Sequence, residues 1–150
     1  MDKIFFEDLP STNTPINSNN LNQMQTNVEN EINGVETKIN NAIIYSTTEK
    51  VIGNWINGKP IYRKVVDLGD APNSTLNTIS HGISNIESIV NLYGYISDGS
   101  SYLPIPNVVA SSGARLQLSA NKNAIFLGSS TDRSSFKECY AIIEYTKTTD

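Results

Sequence analysis

Between Asn17 and Ile44 the apolar residues fall on one narrow stripe. Leu21, Met24, Val28, Ile32, Val35, Ile39 and Ala42 recur at steps of three or four, and Asn, Gln, Thr, Glu and Lys fill most of the positions between them. This spacing predicts a helix. A helix packed on its own domain's core carries a wider apolar face, whereas a two-position stripe is the seam of a coiled coil. No second helical pattern of similar length is present to cover it. The seam therefore predicts self-association through Leu21, Met24, Val28, Ile32, Val35 and Ile39.

Two successive steps of four, at Val28 and Ile32, form a stutter that unwinds the left-handed supercoil and predicts a nearly straight bundle. Roughly 27 residues at about 1.5 Å each make a stalk on the order of 40 Å long. Many Asn and an interior Gly34 make it a weak helix by intrinsic propensity, so packing between chains must hold it. β-Branched residues fill most of the seam, which favours three strands and predicts a homotrimer. Upstream, Pro10 and Pro15 bracket Ser11 to Thr14 and block the helix, and Asn17 or Ser18 can cap it. The arm at 1–16 also carries an apolar cluster, Ile4, Phe5, Phe6 and Leu9. That cluster is either a clasp on the stalk or a plug that docks into a larger assembly.

From Tyr45 onward the period changes to short β-branched and aromatic runs punctuated by Gly, Asn, Asp and Ser. Strands are predicted at 51–56, 60–68, 76–80, 88–96, 115–120, 124–128 and 138–146, with Asn57-Gly58 reading as a two-residue hairpin turn. Arg115 to Ser119 alternates polar and apolar, the mark of a strand with one wet face. Seven or eight strands at this spacing predict an antiparallel β-sandwich, jelly-roll-like, over 45–150. The fold class is thus mainly β with an N-terminal helix: arm 1–16, coiled-coil stalk 17–44 and β head.

Composition narrows the function. Charged residues make up 17% of the 150, the net charge is -4, and there is no Lys/Arg run, which argues against a nucleic-acid partner. No apolar run approaches the length of a membrane span and no signal peptide is evident, so synthesis in the cytoplasm without membrane insertion is expected. Cys139 is the single cysteine and reads as a small buried hydrophobe.

Several blocks resemble a known family. Phe5 to Glu29 (FFEDLPSTNTPINSNNLNQMQTNVE) is similar to the arm and stalk of tail-fibre proteins from phages of Gram-positive bacteria. Tyr45 to Val66, His81 to Val90, Tyr102 to Pro106 and Tyr140 to Asp150 resemble the C-terminal head shared by such fibres and by phage tail-like particles. The resemblance implies a trimeric receptor-binding fibre at the virion tail. Its arm would meet a baseplate or fibre-attachment protein, and its head a bacterial cell-wall glycan. It supplies no catalytic motif to transfer. The chain departs from many fibres in its short length, which suits a stubby fibre or a head joined almost directly to a baseplate.

Chemistry for catalysis is sparse. His81 is the only histidine, so one chain cannot assemble an ordinary His/Cys zinc site, and a structural histidine at a strand end is expected. No Gly-x-Ser-x-Gly elbow or phosphate-binding Gly loop is present. Glycoside hydrolysis needs two converging carboxylates, which spacing alone cannot establish. No metal, cofactor or catalytic residue is assigned.

Carbohydrate binding uses aromatic faces and planar polar groups, for which Trp55, Tyr62, Tyr93, Tyr95, Tyr102, Tyr140 and Tyr145 are the resources. Loops on a rigid sheet are the expected place for recognition: 95–102, 107–115 and 128–136. The ligand-binding candidates are Tyr95, Asp98, Tyr102, Asp132 and Arg133. The last two are alternatively an ion pair fixing their loop. The expectation is a homotrimeric adhesin without catalysis. The alternatives are a tail or baseplate component that binds only virion proteins and a glycan-cleaving tip enzyme.

Overall fold

The computed structural model describes residues 17–148, apart from the side chain of Ala42. The attachment arm expected at 1–16 lies outside the described residues. The chain divides after Asn40 into two compact units, each considered by itself.

Helix α1 runs Ser18–Ile43, 26 residues, close to the expected span. Asn17 is its N-cap: the Asn20 amide donates to Asn17 Oδ1 at 2.9 Å and the Leu21 amide to the Asn17 carbonyl at 3.0 Å. Met24, Val28, Ile32, Val35, Ile39 and Ile43 are all exposed, between 40% and 68% of their surface open. Leu21 is partly buried. No described helix is long and apolar enough to cross a membrane.

The remainder is built from β1 Lys50–Asn54, β2 Pro60–Asp67, β3 Leu76–Ser80, β4 Ile86–Ser97, β5 Tyr102–Ile105, β6 Asn107–Val108, β7 Arg115–Ala120, β8 Ala124–Ser129 and β9 Glu138–Lys147. One antiparallel sheet has the order β1-β2-β9-β4-β5 and the other β3-β8-β7-β6. Their inner faces share one core, with Val66, Ile96, Cys139, Ala141, Ile143 and Tyr145 from the first and Leu116, Ile125 and Leu127 from the second. Two sheets covering each other's apolar faces in this way make a β-sandwich. The chain crosses between sheets at β2–β3, β3–β4, β5–β6 and β8–β9, whereas β4–β5 and β7–β8 are hairpins within one sheet.

Two local readings are corrected. The turn at Asn57-Gly58 is not a two-residue hairpin. The Gly58 amide donates to the Trp55 carbonyl and the Trp55 amide to the Lys59 carbonyl, both at 2.8 Å, so Ile56, Asn57 and Gly58 form a three-residue loop. Only Gly58 has a left-handed backbone there, φ 84°, the usual fate of Gly at the third position of such a loop. The segments 95–102 and 107–115 are also more ordered than loops. Tyr95 lies within β4, Tyr102 opens β5, and β6 begins at Asn107. Pro104 and Pro106 hide these strands in the sequence, since proline is tolerated only at edges and strand ends.

Cys139 is fully buried, and burial pushes its thiol up to about 11. His81 is 2% exposed with both ring nitrogens engaged. The Ile83 amide donates to Nδ1 at 3.0 Å, and Nε2 lies 3.2 Å from the Asn121 carbonyl, which makes Nε2 the protonated nitrogen of a neutral ring. Its carbonyl in turn accepts from Lys64 Nζ at 2.8 Å.

Candidate functional site: a tyrosine-lined cavity on the outer sheet face

Strand register decides which side chains face outward from the five-stranded sheet. β9 is central, and its pairings set Val65 opposite Ile142, Tyr93 opposite Ile142, Tyr95 opposite Tyr140 and Arg63 opposite Glu144. Directly opposed residues share a face, so these side chains stand together on the side away from the core. Their neighbours one position along, Val66, Ile96, Ala141 and Ile143, face the core. The outer face is thus unusually aromatic for a surface.

The segment before β1 forms one wall. The Val65 amide donates to the Ser46 carbonyl at 2.8 Å, which lays 45–47 beside β2. The ring of Tyr45 then lies over the Arg63 guanidinium, 4.9 Å from centroid to Cζ. Its hydroxyl is 3.4 Å from that of Tyr93. Between this wall and the sheet lies an open cavity of about 510 Å³, lined chiefly by Tyr45, Tyr93, Tyr95, Tyr140, Val65 and Ile142. That volume is within the roughly 300–1,000 Å³ of small-ligand sites.

The Gly94 backbone also lines it. A Cβ there would meet the Tyr140 carbonyl oxygen at 2.1 Å, so only glycine lets β4 approach β9 this closely. Beside the cavity, Arg63 Nε and Glu144 Oε1 pair at 2.8 Å with only 15% and 13% of their side chains exposed, and Asn91 Nδ2 donates to Glu144 at 3.4 Å. Burial, then the Tyr45 hydroxyl, pushes the Tyr93 hydroxyl up to about 12. Tyr95 is also raised, first by desolvation. Both are neutral phenols at ordinary pH.

The structure brings together two of the five ligand candidates. Tyr95 and Tyr102 lie with ring centroids 5.7 Å apart, tilted 53°, and Tyr95 meets Tyr140 at 5.9 Å. Asp98 serves its own turn: Oδ1 accepts from the Ser100 amide at 2.9 Å and the Ser101 amide at 2.7 Å. Those bonds hold its carboxyl below the ordinary value. Asp132 likewise accepts from the Ser134 amide at 2.9 Å, which lowers its carboxyl too. Arg133 donates its amide to the Pro72 carbonyl at 3.1 Å and sets its guanidinium 5.8 Å from the Phe136 ring. Asp132 and Arg133 are therefore not an ion pair; each is committed to its own loop.

No protein-family model, curated protein or solved structure matches the chain.

Sequence reasoning missed Tyr45, Val65 and Ile142 as site residues and counted Tyr93 and Tyr140 only as general resources. A signal was present in the i, i+2 spacing of Tyr93 with Tyr95 and of Tyr140 with Ile142, which sets each pair on one face of a strand. Tyr62 and Tyr145 fall on the opposite face, stacked at 5.8 Å and 19°, with Tyr145 fully buried in the core. Chemically, the cavity offers flat aromatic faces, a pair of hydroxyls and no formal charge. That equipment suits binding.

Proposed function

We propose that this chain is a homotrimeric tail-fibre or receptor-binding protein of the virion tail, an adhesin whose β head holds a bacterial cell-wall glycan without cleaving it. The observation that carries the reading is the aromatic cavity on a rigid sheet face, which pairs apolar rings with hydroxyls as sugar recognition requires. The uncovered seam on α1 supports the trimer: six apolar side chains exposed along one stripe are a face that a coiled-coil partner would bury. Joining three heads would raise avidity without any new contact, so a weak single site suffices. The arm at 1–16 would dock on a baseplate or fibre-attachment protein.

The test is adherence. Fluorescent full-length protein is incubated with a panel of Gram-positive cells and with their purified walls, and wall digests are assayed for reducing sugar. Saturable binding to cells and walls without sugar release is expected. Binding to no cells in the panel, together with capture of a tail subunit, would assign the chain to virion structure instead. Release of reducing sugar would make it a tip enzyme.

A further inference from the structure

The cavity's walls constrain the ligand beyond its being a glycan. Its lining is tyrosine, serine, threonine, glycine and aliphatic, so it carries no formal charge. Of the charges near it on the sheet, Arg63 and Glu144 neutralise each other at 2.8 Å, and Glu138, close enough for its charge to raise the Tyr95 hydroxyl, is itself negative and would repel an anion. A phosphate or carboxylate seated here would shed water and gain no counter-charge, which carries a desolvation cost. An uncharged ligand escapes that cost.

The polar groups present are of a matching kind. At 3.4 Å the Tyr45 and Tyr93 hydroxyls are farther apart than the usual ~2.7–2.8 Å of an O–H···O bond, so their mutual contact is weak. Each hydroxyl has one donor and two acceptor positions. The pair therefore retains a donor and acceptors for a ligand hydroxyl, with Ser46 and Thr47 on the same wall. Opposite them, Tyr95 and Tyr140 are tilted 48° to one another and form an angled aromatic surface.

We propose that the cavity between Tyr45 and the outer sheet face takes one uncharged sugar ring, its C–H face on Tyr95 and Tyr140 and its hydroxyls on Tyr45 and Tyr93. The proposal rests on the adhesin reading and narrows its ligand to a neutral sugar of the wall rather than a polyol-phosphate backbone. The segment 45–47 is part of the site, because it supplies the hydroxyl wall.

Saturation-transfer NMR on the full-length chain tests this with methyl glycosides of glucose, galactose, rhamnose and N-acetylglucosamine, and with glycerol 3-phosphate. Transfer to the ring C–H protons of at least one glycoside is expected, with affinity changing less than about twofold between roughly 50 and 500 mM salt. Tyr95→Ala should weaken it by about tenfold, one stacking contact's worth. Thr47→Trp, which fills the cavity from the wall and leaves the sheet untouched, should abolish it. Circular dichroism and the thermal midpoint establish that both variants are folded. Transfer to glycerol 3-phosphate alone, to none of the glycosides, or equally in wild type and both folded variants would overturn the proposal. A fall in oligomer mass with Tyr95→Ala would also overturn it and assign the face to a subunit contact. Cell adherence separates the two levels: wild type and variants adhering equally sinks the cavity and leaves the adhesin. Glycoside binding by a chain that adheres to no cells does the reverse.

Discussion

The hydroxyls of Tyr45 and Tyr93 lie 3.4 Å apart across 48 residues of sequence. One comes from the segment that precedes the first strand, the other from the long strand β4. Their contact closes the wall of the cavity, and it adds to the burial that chiefly holds Tyr93, although it faces away from the core, as a neutral phenol up to about pH 12.

A pH dependence follows. A phenol whose folded-state value is raised from 10.0 to about 12 contributes stability that is complete below pH 10 and is lost as pH rises through 12. Thermal midpoints should therefore fall between pH 10 and pH 12, and Tyr93→Phe should flatten part of that fall. The remainder belongs to Tyr95 and Tyr145, whose hydroxyls are also raised by burial. A variant as steep as wild type would contradict the assignment.

Arg63 and Glu144 form a mostly buried pair with Tyr45 laid over the guanidinium. Glu144→Ala leaves Arg63 in that setting without its carboxylate and should cost about 2–4 kcal/mol in urea unfolding. Replacing both, as in Arg63→Met with Glu144→Leu, should cost less than the Glu144→Ala change. Strictly additive losses in the double-mutant cycle would refute the pairing energy.

Gly94 is the close-approach point of β4 and β9, where a Cβ meets the Tyr140 carbonyl oxygen at 2.1 Å and the Ala141 Cα at 3.0 Å. Neither atom belongs to a movable side chain, so Gly94→Ala must shift a central strand. A loss of ~1–3 kcal/mol or more is expected from overpacking, read as a lower denaturation midpoint. Gly53, which has open space around it, is the control site.

The seam prediction concerns mass. Light scattering of the purified chain should give about three times 16.5 kDa, and Ile32→Asp should reduce it to a single chain without altering the β signature in circular dichroism. A wild-type mass near 16.5 kDa would end the stalk argument.

Asp98 and Asp132 should behave as turn formers. Backbone amides hold both carboxyls below 3.8, so the support they give their turns is present above that pH and is lost as pH falls through the depressed folded value. Asp98→Ala should speed hydrogen exchange at the Ser100 and Ser101 amides, which donate to its carboxylate, while sugar binding in the cavity is unchanged. Loss of binding with Asp98→Ala would restore it to the site.

Local patterns made much of this fold readable. The steps of three and four from Leu21 place α1 to within a residue of its ends; β-branched and aromatic runs locate β2, β3 and β9, polar–apolar alternation locates β7, and a short apolar run locates β8. β5 and β6 were illegible because they are short, carry or follow a proline (Pro104 within β5, Pro106 just before β6) and are formed by pairing with β4 and β7 rather than by preference. The acidic candidates have a local role of their own: Asp98 and Asp132 lie in turns, and a short carboxylate in a turn readily binds the amides just after it.

By itself the sequence determined α1, its apolar seam and most of the strands, because periodicity and turn chemistry act between near neighbours. Only the tertiary structure decided that Tyr45, Tyr93, Tyr95 and Tyr140 share one wall. That meeting depends on the register of β4 against β9 and on 45–47 lying along β2. Register is a property of pairings between distant segments, and a slip of one residue would turn every one of those strand tyrosines into the core.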